Sequence, residues 1–354
     1  MALQKVKEAK YKYKQVTFSH VPIEPAEMAV LTADPWSFLH GDLLKRISKS
    51  AGNNRICYTR ARYYSSLAED FYRAAESVNM PTKGTLYYYG MMNLVKALLS
   101  VNKVKLEDIV EHHGITNTHG KKHSLSVSGK LSQCTNIFLE FAKIMGTPVK
   151  GKHEISLRHI FLNIPELNGI SRNLGFIKKP KYLPINIKFC VNLDTTYLLT
   201  EVSYSKGNEN IINTERFLKG KRKSYFQEAY EDEGHVVHRS QKRKKITDNN
   251  WPVIYKNILK DYSKLGISSI LTRNGYKYYC SVDEGKYHHL CNSYLLMFYL
   301  GHSARYKPSE IEEIMSGELR PMATEAVAVL PKQFKYQLIS LITGKLCVIP
   351  FSDI

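Results

Sequence analysis

Between about Ile155 and Val282 the apolar residues alternate with a period of two, and on both sides of that stretch they recur every three or four residues. A chain that switches period twice combines helices with strands, so a purely helical or purely β architecture is excluded. In residues 59–78, Tyr64, Leu67, Phe71, Ala74, Ala75 and Val78 fall on one helical face. Residues 85–101 are nearly all apolar and predict a helix buried on most sides, which pairs with the first across a break at Pro81. Residues 131–145 predict a third helix, ended by Gly146 and Pro148. In the middle, residues 185–199 alternate as strands, residues 251–265 read as a helix, and Asn274-Gly275 between two strand-like runs predicts a hairpin with a type I′ turn. Residues 286–305 return to helix. Ser309 and Glu312 then have the spacing of a capping box, and residues 323–343 read as one or two helices broken at Pro331.

The fold class expected is therefore α+β, mainly α: a helical bundle formed from the N- and C-terminal parts, with a β-rich insertion. Its boundaries are a basic arm and entry segment at 1–50, helical core at 51–154, the insertion with basic loops at 155–284, and closing helices at 285–354. No apolar run reaches the roughly 20 residues that cross a bilayer. Lysines interrupt the first 14 residues, so no signal peptide is expected. The six cysteines are scattered without a CxxC pair, which suits reduced thiols in the cytoplasm.

The charge of +19 is unevenly spread. Residues 1–14 carry five lysines against Glu8. Residues 216–245 carry Arg216, Lys219, Lys221, Arg222, Lys223, Arg239, Lys242, Arg243, Lys244 and Lys245 against four acidic residues, whereas residues 300–354 are balanced. Clustering of this kind favours a polyanion-binding face over general solubility. Tyr225, Phe226 and Tyr230 lie between the basic runs, where aromatics can stack on unpaired bases or anchor the segment to its own core. Nucleic acid is the expected partner, RNA or DNA; an acidic protein or a separate effector subunit is the other.

Two constellations are the weaker candidates for chemistry. His112, His113, His119 and His123 cluster with Gly114 and Gly120 in one short segment, where imidazoles can shuttle protons or bind metal. Asp194 and Glu201 end adjacent strand-like runs as the carboxylates of Mg²⁺-dependent nucleases do, although Ser203 stands where such sites place a lysine. No zinc, phosphate-loop, dinucleotide or serine-elbow motif is present, so no cofactor is expected.

Pro81, the run Leu86-Tyr87-Tyr88-Tyr89-Gly90, Asn93-Leu94, Lys96-Ala97 and His113-Gly114-Ile115 resemble the YaaC-like bacterial proteins. Trp36, Leu290, Tyr294, Leu296 and the run from Ala304 to Glu310 extend the likeness to both ends. The resemblance implies a helical core loosely similar to HEPN ribonuclease and toxin bundles. The HEPN arrangement of Arg followed by His on a helix is not met, so no catalytic residue carries over. The function expected is a nucleic-acid-binding component of a bacterial anti-phage defence or toxin-type system. The alternatives are a nuclease with a non-standard site, metal-dependent or not, and a scaffold for an acidic protein.

Overall fold

The computed structural model describes residues 6–350 except 22, 25–27, 108–109, 119, 129–133, 209–211, 213–216, 228, 242–243, 248, 263 and 284. The fold is mixed α+β, about 48% helix and 24% strand, so helix predominates as the spacing predicts. Two compact units divide it. One takes residues 179–285 with 1–30 and 344–351 from the chain ends, and the other takes 31–178 with 286–343.

The first unit is built on an eight-stranded antiparallel sheet. Its central path runs Tyr230–Asp232, His235–Arg239, Tyr197–Ser205, Tyr182–Asn192, Gly275–Ser281, Ile267–Thr272. The basic N-terminal arm contributes Val6–Glu8, which pairs with Cys190 to Asn192. One helix, Trp251–Tyr262, buries Tyr255 and Tyr262, whose rings meet Phe189, Phe18, Tyr225 and Phe226. The 267–281 hairpin forms as expected, but its turn differs. Thr272 pairs with Gly275, and of the turn residues only Gly275 has a positive φ, at 82°. Type I′ would require a second left-handed residue bearing a Cβ; the observed turn leaves that conformation to glycine alone.

The second unit is mainly helical: Pro35–Ser48, Gly52–Glu76, Thr82–Val101, Ile137–Ile144, His289–Tyr306, Pro308–Ser316 and Arg320–Thr343 are its longer helices. The second of these starts seven residues before the predicted onset, because among its first seven residues only Cys57 is buried. The helix expected over 131–145 is only Ile137–Ile144, capped by Asn136, whose side chain accepts from the Leu139 amide. The capping box is not formed: Lys307 is the N-cap and Pro308 opens the helix, while Glu310 accepts from Lys307 and from Tyr299. Arg320–Thr343 continues through Pro331 without a break.

Gly90 sets the approach of the second and third helices. A Cβ there would lie 2.6 Å from the Tyr72 ring and 3.3 Å from the Ala68 carbonyl. Tyr72 cannot retreat, since it is buried against Trp36 and Tyr87 and its hydroxyl donates to the Pro331 carbonyl at 3.1 Å. Gly90→Ala is therefore expected to cost about 1–3 kcal/mol despite alanine's better helix propensity, measurable by urea unfolding.

Candidate functional site

The sheet unit disperses the predicted basic cluster. Arg222 is buried, with its guanidinium donating to Cys280 Sγ at 2.6 Å and to the Ser281 carbonyl at 2.7 Å. Arg239 is also buried and pairs with Glu201 Oε1 at 2.6 Å. Both guanidinium groups are committed to partners inside the sheet unit, so these two are structural. Lys219, Lys221, Lys223, Lys244 and Lys245 are exposed. Arg216, Lys242 and Arg243 lie outside the described residues. Tyr225 and Phe226 are core residues, and Tyr230 donates to Glu201 at 2.8 Å with the Arg239 guanidinium 5.2 Å over its ring, so the first two offer no face to a base and the third is engaged by its own unit. Glu201 is thus occupied by Arg239 and Tyr230. Asp194 sits in the turn after the long central strand, its amide bonded to Asn192 Oδ1. Among the described residues no three His, Cys, Asp or Glu side chains converge to hold an ion.

The helical unit gathers a different set. The loop carrying His113 is fixed by Gly114, whose φ is 77° and where a Cβ would overlap the Asn136 side chain that caps the next helix. His113 itself stays exposed, with Nδ1 2.6 Å from the Tyr88 hydroxyl. Its ring lies 6.1 Å from that of Phe298, and His302 lies 5.5 Å from the same Phe298 ring, one turn further along the helix. Arg305 follows one turn later, exposed, its guanidinium over the Tyr89 and Tyr306 rings and hydrogen-bonded to the Tyr89 hydroxyl. Two imidazoles and a guanidinium thus share one aromatic floor.

Their protonation is set by the surroundings. Loss of water against Tyr88 and Phe298, then Lys96, Arg305 and His112, holds the His113 pKa below its ordinary 6.5, with Glu111 opposing. Burial, then Arg305 and Lys307, does the same to His302, with Glu310 opposing. Burial pushes the Tyr88 hydroxyl well above the ordinary tyrosine range, so it stays protonated. The Nδ1 of His302 is buried and has no hydrogen-bond partner.

Of the other predicted histidines, His112 is exposed at the end of the Val110–His112 strand and His119 lies outside the described residues. His123 makes a separate contact: Nδ1 is 2.9 Å from the Tyr299 hydroxyl, which donates to Glu310 Oε2, and Nε2 faces Glu313 at 3.6 Å. Among its described histidines the segment therefore splits, and of these only His113 joins His302 and Arg305.

Residues 33–342 match the YaaC-like protein family. The chain belongs to that family. No curated protein and no solved structure matches it. In this YaaC-like protein five of the residues that carried the resemblance fall together. Tyr88, Tyr89, Lys96, His113 and Arg305 all belong to the cluster just described. His302 escaped the sequence reading: a lone histidine on an apolar helix is more often packed than functional, and its spacing from Arg305 reverses the expected Arg-to-His order. The tyrosine run, with two hydroxyls one residue apart, was the available signal.

Proposed function

We propose that this YaaC-like protein is a ribonuclease whose acid–base pair is His113 and His302, with Arg305 holding the scissile phosphate. The observation that carries the reading is that both imidazoles meet the Phe298 ring while Arg305 lies over Tyr89 and Tyr306, the latter 5.0 Å from the His302 ring. Lys96 and Lys307 are paired with Glu111 and Glu310, so the surplus positive charge is that of Arg305, which draws a phosphate. With the Tyr88 proton directed to Met92 Sδ, 3.8 Å away, His113 donates through Nδ1 to Tyr88 and keeps its Nε2 lone pair for a substrate proton. His113 takes the proton of the ribose 2′-hydroxyl and the 2′ oxygen attacks phosphorus. Protonated His302 delivers its proton to the departing 5′ oxygen, and the products are a 2′,3′-cyclic phosphate and a 5′-hydroxyl.

The sign of the pH dependence follows. The base must be neutral and the acid protonated, and both pKa values lie below 6.5, so the rate should peak below pH 6.5 and fall as pH rises through neutrality. The test is cleavage of labelled single-stranded RNA in EDTA between about pH 5 and 8. Wild type should cut, and His113→Ala and His302→Ala should each lower kcat/KM by roughly 100-fold or more. No cleavage by wild type across that range would overturn the reading.

A further inference from the structure

The exposed side of the Gly52–Glu76 helix carries a groove of about 840 Å³ that none of the features above uses. Its walls include Arg55, Ile56, Thr59, Arg60, Tyr63 and Glu107. In the helix these positions recur at three and four residues and so form one stripe. Ile56 and Tyr63 are 56% and 60% exposed, an unusual outlay of apolar surface between cationic side chains. Tyr63 meets the neighbouring Tyr64 ring edge-on at a centroid distance of 5.7 Å, and most of the Tyr63 ring stays open to solvent. Arg60 is held by Glu107 at 3.3 Å, while Arg55 is exposed and makes no ion pair among the described residues.

We infer that this groove binds single-stranded RNA, with a base stacked on Tyr63 and an adjacent phosphate on Arg55. Two guanidinium groups against one carboxylate favour an anion, and an open aromatic ring beside a free arginine alternates stacking and charge as base and phosphate alternate along a strand. A duplex presents phosphates but no base faces to such a platform, so the preference should be for unpaired RNA. The inference rests on RNA being the substrate of the His113 site, and a bonded string joins the two places. Arg60 pairs with Glu107, the Glu107 amide donates to Glu111 Oε1 at 3.0 Å, and Glu111 pairs with Lys96 at 2.5 Å. Lys96 is in turn one of the charges acting on His113.

The test is binding of a fluorescent single-stranded RNA of about 12 nucleotides by the full chain carrying His113→Ala, so that cutting does not enter the measurement. Tyr63→Ala and Arg55→Glu should each weaken the Kd by roughly tenfold, Tyr63→Phe should stay close to the parent, and a duplex of the same sequence should bind more weakly. Because Arg55 is exposed and its replacement leaves the packing intact, a folding defect at Tyr63 cannot imitate the result. Unchanged affinity in Tyr63→Ala and Arg55→Glu, or equal affinity for duplex and single strand, overturns the groove. RNA bound through Tyr63 but never cut by wild type would leave the groove standing and sink the ribonuclease reading alone.

Discussion

Tyr294→Ala should lower the unfolding free energy of the helical unit by about 3–5 kcal/mol, among the largest losses available to a single substitution in this chain. Tyr294 is fully buried in the middle of the His289–Tyr306 helix. Its ring meets Tyr88 edge-on at 5.7 Å, stacks on Phe138 at 6.0 Å, and contacts Phe141 at 5.8 Å and Phe334 at 6.5 Å. Those four partners come from three other helices, so a cavity here cannot be closed by one element moving. The same ring supports Tyr88, on which His113 rests, so the RNA cleavage proposed for this site should fall together with stability. Tyr294→Phe keeps every ring contact and should remain near wild type. A loss below about 1 kcal/mol for the alanine variant in urea titration would mean that the aromatic cluster is not the core of this unit.

Glu166→Gln should have the opposite sign, and only at high pH. Glu166 lies in the short helix Pro165–Leu167; neither carboxylate oxygen has a hydrogen-bond partner, and burial raises its pKa to about 7. Since the folded-state pKa exceeds the unfolded value near 4.5, the native state binds the extra proton between those values. Stability is then greatest below pH 4.5, falls as pH rises toward 7, and levels off beyond. The change is on the order of 3 kcal/mol. Glutamine is neutral throughout, so Glu166→Gln should raise the melting temperature at pH 8 and leave it nearly unchanged at pH 5. An equal shift at both values would show that the carboxyl finds a partner when ionised.

Much of the element order was legible because it is written in local periodicity. The Thr82–Val101 and His289–Tyr306 helices are apolar on nearly every side, and the sheet strands Tyr182–Asn192 and Tyr197–Ser205 alternate visibly. What failed locally failed for reasons of competition. Ser309 lost the cap to Lys307, with Glu310 bonded to Tyr299 and Lys307 instead. Asn274 left the left-handed conformation to Gly275 alone.

The site was legible only in part. A run of charge says nothing about which guanidinium points inward, and two of the arginines counted as phosphate contacts, Arg222 and Arg239, are spent inside the sheet unit on Cys280, Ser281 and Glu201. The sequence by itself determined the mixed helix and strand content, the family, and the segments in which His113, Tyr88 and Arg305 lie. Only the tertiary structure decided that His113, nearly two hundred residues before Arg305, meets the Phe298 ring beside His302, with Arg305 over the adjoining Tyr89 and Tyr306 rings. Periodicity specifies which face of an element is apolar, whereas the partner that covers that face, and the polar groups brought together at its edge, are fixed by packing between distant segments.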